Sequence, residues 1–140
     1  MKVKVKKLSP EAKVPTYAHP GDAGLDIFSF EKVTIESGER KLLRTAIAVE
    51  IPDGFVGLWW DKSGLSNKHG LKILGGVIDA GYRGELMVGL INLSEQSYTV
   101  EAGDKITQML IQKVEAAEIE EVDELSVSSR GEGKFGSTGR

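Results

Sequence analysis

The residue of this chain best suited to acid–base chemistry is Asp79, which follows the β-branched pair Val77-Ile78 and precedes Gly81 by two positions. With Gly75 and Gly76 before it and the apolar run Leu86 to Ile91 after it, the stretch reads as a β-hairpin carrying Asp79 at its mouth. Partial burial there would disfavour the ionised carboxylate and make Asp79 a stronger base than a surface aspartate. The other reading is a turn-former held by its own backbone hydrogen bonds. A second acid, Asp26, lies in a short strand fed by the small-residue turn Pro20-Gly21-Asp22-Ala23-Gly24. In Asp61 to Gly70, Lys62 stands beside a short helical turn beginning near Ser63, whose N–H groups and hydroxyl suit a phosphate. The same segment also reads as an N-capped surface turn.

The chain finishes with Arg130-Gly131-Glu132-Gly133-Lys134-Phe135-Gly136-Ser137-Thr138-Gly139-Arg140. Composition alone describes a disordered tail. Yet its cations, its one aromatic ring and its Ser-Thr pair, set among glycines, are what an arm closing over a phosphorylated aromatic ligand would use. It is not a Walker phosphate loop, because Lys134 precedes Phe135 where Ser or Thr is required.

These groups need elements to hold them. Lys2 to Lys7 alternates lysine and valine, the period of a strand with one wet face. Pro10, Pro15 and Pro20 interrupt regular structure; Glu31 to Ile35, Arg40 to Ile51 and the apolar Phe55 to Trp60 then read as strands, with Pro52-Asp53-Gly54 between the last two. Tyr98 to Val100 is a further strand, Lys105 to Val114 fits strand or helix, and the acidic Glu115 to Leu125 reads as a solvated linker or a surface strand. With 17 glycines against 4 prolines in 140 residues, the expectation is one turn-rich domain over 1–127 and a flexible glycine-rich arm over 128–140.

The absence of cysteine excludes disulfides, thiolate metal sites and a cysteine nucleophile. A net charge of -3 gives no general attraction to nucleic acid or anionic membrane, so a phosphate must be met locally. The apolar runs are far too short to span a bilayer, and the lysine-rich start lacks the core of a secretion signal. The expected setting is intracellular: cytoplasmic, or nuclear or within a virus-infected host cell.

In order along the chain, five segments resemble the motifs of the trimeric deoxyuridine triphosphate nucleotidohydrolases, the dUTPases. They are Ala23-Gly24-Leu25-Asp26-Ile27; Ser63-Gly64-Leu65 with Lys68-His69-Gly70; Gly76-Val77-Ile78-Asp79 with Tyr82-Arg83-Gly84-Glu85; Gly103-Asp104-Lys105-Ile106-Thr107-Gln108; and Arg130-Gly131, Gly133 and Phe135-Gly136-Ser137-Thr138-Gly139. The resemblance implies an all-β, distorted jelly-roll-like β-barrel forming a homotrimer, with active sites built from more than one chain. It implies hydrolysis of dUTP to dUMP and pyrophosphate by water attack on the α-phosphorus, with Mg2+ on the triphosphate. That activity keeps uracil out of DNA and supplies dUMP for dTMP synthesis.

By the same resemblance Asp79 deprotonates the water and Tyr82 excludes a ribose 2′-hydroxyl, while main-chain groups of Gly76, Val77 and Ile78 read the uracil edge. Lys62, Ser63, Gly64 and Gln108 meet the phosphates, and Asp26 holds magnesium through water. Phe135 covers the uracil; Arg130, Gly136, Ser137 and Thr138 complete the substrate-binding set. Two positions depart from the family pattern. Asp61-Lys62 replaces the usual Pro-Arg, so a point charge stands where an arginine fork is common, and Lys134 replaces a glycine. The related dCTP deaminases need a glutamate on the strand after the hairpin, where this chain has Gly89. A nucleotide-binding regulator without turnover is the rival from another class.

Overall fold

A computed structural model describes residues 1–139. Its strands are β1 (Lys4–Lys7), β2 (Leu25–Phe28), β3 (Val33–Ile35), β4 (Arg40–Arg44), β5 (Ile47–Glu50), β6 (Phe55–Trp60), β7 (Leu71–Leu74), β8 (Val77–Ile78), β9 (Met87–Asn92), β10 (Tyr98–Val100) and β11 (Lys105–Lys113). One helix among the described residues, α1 (Ser63–His69), lies between β6 and β7. The expected all-β character is present, and the Lys105 to Val114 ambiguity resolves as strand.

The strands form four small sheets, β1-β5, β10-β3, β2-β11-β6-β8 and β4-β9-β7, and every pairing is antiparallel. Alternation explains what each contributes. Along β9, Val88, Leu90 and Asn92 turn inward, and β7 buries Leu71 and Ile73 while leaving Lys72 and Leu74 outside. These side chains meet Ile27, Ile35, Leu43, Ile47, Ile106 and Met109 in one core. Each such aliphatic residue contributes about 1.5–3 kcal/mol on burial. Asn92 is fully buried and fully partnered: its Nδ2 donates to the carbonyls of Ile35 (3.0 Å) and Gln96 (2.7 Å), and its Oδ1 accepts from Ser94.

Two local expectations fail, both because distant pairing outweighs local pattern. Arg40 to Ile51 is not one strand. It breaks at buried Ala46, whose φ of 54° is left-handed, so β4 joins β9 in one sheet and β5 joins β1 in another. Nor do the strands flanking Asp79 make a hairpin. β8 pairs with β6, whereas β9 lies between β4 and β7, so Asp79 sits on a crossing between two sheets. Regular structure ends at Lys113, and residues 114–139 run without helix or strand.

Candidate active site

The Asp79 crossing borders a cleft of about 490 Å³, of the size that takes a small ligand. Gly76, Val77, Ile78, Asp79 and Tyr82, all named from the sequence, line it together. Gly75 and Gly76, at φ 73° and 154°, swing the chain out of β7, and the Gly76 carbonyl accepts the Trp59 N–H at 2.8 Å. The cleft edge is therefore backbone at fixed spacing. Tyr82 closes the turn through its N–H to the Asp79 carbonyl (3.0 Å), and its hydroxyl donates to the Glu85 carbonyl (2.9 Å). The ring lies against Gly84, where an added Cβ would come within 2.4 Å of the Tyr82 oxygen. Asp79 itself is exposed, contrary to the expected partial burial, because Val77 before it faces outward and only Ile78 enters the core. Sequence reasoning missed two residues of the apolar lining: Trp59, whose strand read only as buried, and Leu74, whose segment carried no reading.

A second cluster surrounds Asp26. The register of β11 sets Gln108 opposite Asp26 on one side and Trp60 on the other, so the polar ends of three strands converge. Lys62 reaches Asp26 Oδ1 at 2.5 Å and Lys105 reaches Oδ2 at 2.7 Å. Oδ2, the oxygen that Lys105 meets, is itself fully buried. Burial pushes the Asp26 carboxyl toward protonation, but hydrogen bonds and charge from Lys105 and Lys62 outweigh it and hold the carboxyl below its ordinary value. Gln108 donates to the Asp61 carbonyl at 2.8 Å, and its side chain fills the place a Cβ on Gly24 would occupy.

Asp61, standing where proline is common, accepts from Ile73 N–H (2.8 Å) and pairs with Lys72 (2.7 Å), so it ties the segment before Lys62 to β7. The helix α1 begins at Ser63 with no side-chain cap and no acid in its first turn. The capped-turn reading therefore fails, and Ser63 and Gly64 remain exposed with open space over Gly64. The role of Lys105 carried no signal in the sequence, since its partner lies 79 positions away.

The ionic clamp on Asp26 has a pH signature. Because the folded carboxyl is held low, its stabilisation is complete above the unfolded value of about 4 and is lost as pH falls through the lower folded value. Asp26→Asn should cost about 1–3 kcal/mol at pH 7, at the modest end for a buried pair because both lysines can turn to solvent. Urea unfolding at pH 7 and pH 3 checks this: the gap between parent and variant should narrow in acid, and an equal gap at both values contradicts it.

The third set stands apart. Arg130, Gly133, Lys134, Phe135, Gly136, Ser137 and Thr138 enclose a hollow of their own, built of successive turns, with Phe135 fully exposed. Among the described residues none of these lines the Asp79 cleft, and neither does Asp26, Lys62, Ser63 or Gln108. One chain thus brings its site residues into three separate groups. Arg140, the last residue of the expected arm, lies outside the described residues.

The β-rich fold of this chain is shared with solved structures. The dUTPase of Staphylococcus bacteriophage 80alpha, a variant solved with dUpNHpp, superposes with a TM-score of 0.94 at 38% identity, covering 99% of each chain. The deoxyuridine 5'-triphosphate nucleotidohydrolase of Clostridium kluyveri is 48% identical over 141 residues, covering 99% of both proteins. That of Thermobifida fusca is 46% identical over 142 residues, covering 99% of this chain and 79% of its relative. The dUTPase family profile matches residues 10–139, and the chain belongs to that family.

Proposed function

We propose that the protein is a dUTP diphosphatase, hydrolysing dUTP to dUMP and pyrophosphate in a homotrimer of jelly-roll-like subunits whose active sites are shared. The observation that carries the reading is the division of the site residues into three groups. The Asp79 cleft holds what a deoxyuridine moiety and a water need, the Asp26 cluster what phosphates need, and the arm what a cover needs. Neighbouring subunits supply one another.

In the assembled site the backbone of Gly76, Val77 and Ile78 offers donors and acceptors to the uracil edge, and Tyr82 under the deoxyribose leaves no room for a 2′-hydroxyl. Lys62, Ser63, Gly64 and Gln108 hold the phosphates, and Asp79 accepts a proton from water as its oxygen attacks the α-phosphorus. The bond from that phosphorus to the bridging oxygen breaks, and pyrophosphate leaves with the electron pair. Phe135 caps the uracil while Arg130, Gly136, Ser137 and Thr138 close on the outer phosphates, excluding bulk water. Docking a subunit and the arm around Asp79 also removes the solvent that the single chain leaves there.

The donor set fits magnesium carried on the triphosphate. No group of three acidic or histidine ligands exists among the described residues, so these form no protein cage, while Asp26 offers one ionised carboxylate that would accept from a metal-bound water once a flanking lysine turns to solvent. When bound, that ion supplies charge neutralisation on the phosphates. A relative, the phage phi11 dUTPase of S. aureus, has a structure described as revealing coordination of a structural Mg(II) ion.

No helix among the described residues is long and apolar enough to cross a membrane. The reading is tested by offering dUTP, dCTP, dTTP and UTP with magnesium. Pyrophosphate from dUTP alone is expected; ammonia from dCTP, or no product from any, contradicts it.

A further inference from the structure

We propose that Glu85, locked by Arg44 and by the left-handed Ala46, is a positioning residue that seats Tyr82 and so governs selection of the deoxyribose; the inference rests on the reading of the protein as a dUTP hydrolase. Tyr82 is half-exposed, and its hydroxyl is tied to the main-chain carbonyl of Glu85 at 2.9 Å. The seat is therefore as rigid as that carbonyl, which the Glu85 side chain holds together with the Leu86 N–H of the same peptide group. Its Oε1 accepts the Ala46 N–H at 2.8 Å and the Arg44 Nε at 3.2 Å, while Oε2 accepts Arg44 Nη2 at 3.3 Å.

The partners are themselves fixed. Ala46 is fully buried at the break between β4 and β5, in a conformation an alanine adopts only when its surroundings hold it there. Arg44 lies over the Phe30 ring at 5.4 Å. The next residue is clamped from the same break, since Leu86 N–H donates to the Ile47 carbonyl (2.8 Å) and Thr45 Oγ1 donates to the Leu86 carbonyl (2.6 Å). Gly84 supplies the gap that the ring requires. A surface ion pair alone would contribute little. Here the carboxylate instead couples a strained, buried backbone to the carbonyl under the sugar-facing ring, and a tyrosine freed to tilt would admit a ribose.

The test is the ratio of kcat/KM for dUTP over UTP, with the thermal midpoint measured beside it, in the full-length parent, Glu85→Gln, Glu85→Ala, Tyr82→Phe and the Glu85→Ala/Tyr82→Phe pair. Loss of one such hydrogen bond should lower the preference about tenfold in Glu85→Ala and in Tyr82→Phe. The pair should fall no further than either alone, because both remove the same seat. Glu85→Gln, whose amide oxygen still accepts from Ala46 and Arg44, should recover most of the preference. A Glu85→Ala protein as selective as the parent, whatever its thermal midpoint, overturns the proposal. Should that variant fail to fold, Tyr82→Phe decides: its ring remains, its anchor is gone, and an unaltered preference overturns the proposal. A parent that releases no pyrophosphate from dUTP overturns the functional reading itself, a result distinct from unaltered selectivity in an active enzyme.

Discussion

Asp79→Asn should lower the turnover of dUTP by about 10²- to 10⁴-fold, the range a positioned general base contributes, while dUTP continues to bind. The substitution preserves shape and falls on an exposed side chain, so folding should not change. What disappears is the acceptor for the proton of the attacking water, since a neutral amide cannot take it. In the proposed site binding depends on other groups: the Gly76 to Ile78 backbone, Tyr82 and the cations of the Asp26 cluster are untouched. Steady-state kinetics beside calorimetric titration separates the two effects. Turnover near that of the parent would exclude Asp79 as the base; loss of binding together with turnover would assign it to holding substrate.

Removal of residues 128–140 should lower kcat/KM for dUTP by about 10²- to 10³-fold, because the groups proposed to cover the uracil and close on the outer phosphates go together. The proposed trimer should survive. Regular structure ends at Lys113, and the arm's hydrogen bonds from Ser128 onward run within the arm itself. Phe135 is fully exposed in the single chain, an orientation that contributes nothing to the stability of its own subunit and leaves the ring available to a ligand. Light scattering checks the assembly and pyrophosphate release checks the rate. A truncated protein at the parent's rate would make the arm a passive tail.

Much of this architecture was legible because it depends on local pattern. Phe55 to Trp60 is a strand with the bounds its flanking turn signals indicate, and the helical turn expected near Ser63 begins there. The cleft companions of Asp79 were legible because they are its sequence neighbours. What was hidden is long-range. The pairing of β8 with β6 depends on residues about twenty positions apart, and no local signal says that β9 will choose β4 and β7. The break at Ala46 was invisible since a left-handed turn is normally announced by glycine or asparagine, and an alanine announces nothing. The clamp of Lys62 and Lys105 on Asp26 joins three distant segments, and only the folded register of β2, β6 and β11 brings them together. The expected burial of Asp79 failed for a related reason: in one chain Val77 faces outward beside it.

The proposed chemistry is tested most directly by turning over dUTP in water enriched in oxygen-18 and locating the label by mass spectrometry. Attack at the innermost phosphorus places one labelled oxygen in the phosphate of dUMP and none in pyrophosphate. Label found in pyrophosphate would mean that water strikes the β-phosphorus instead, and the roles assigned to Asp79, Tyr82 and the phosphate-holding cations would be contradicted.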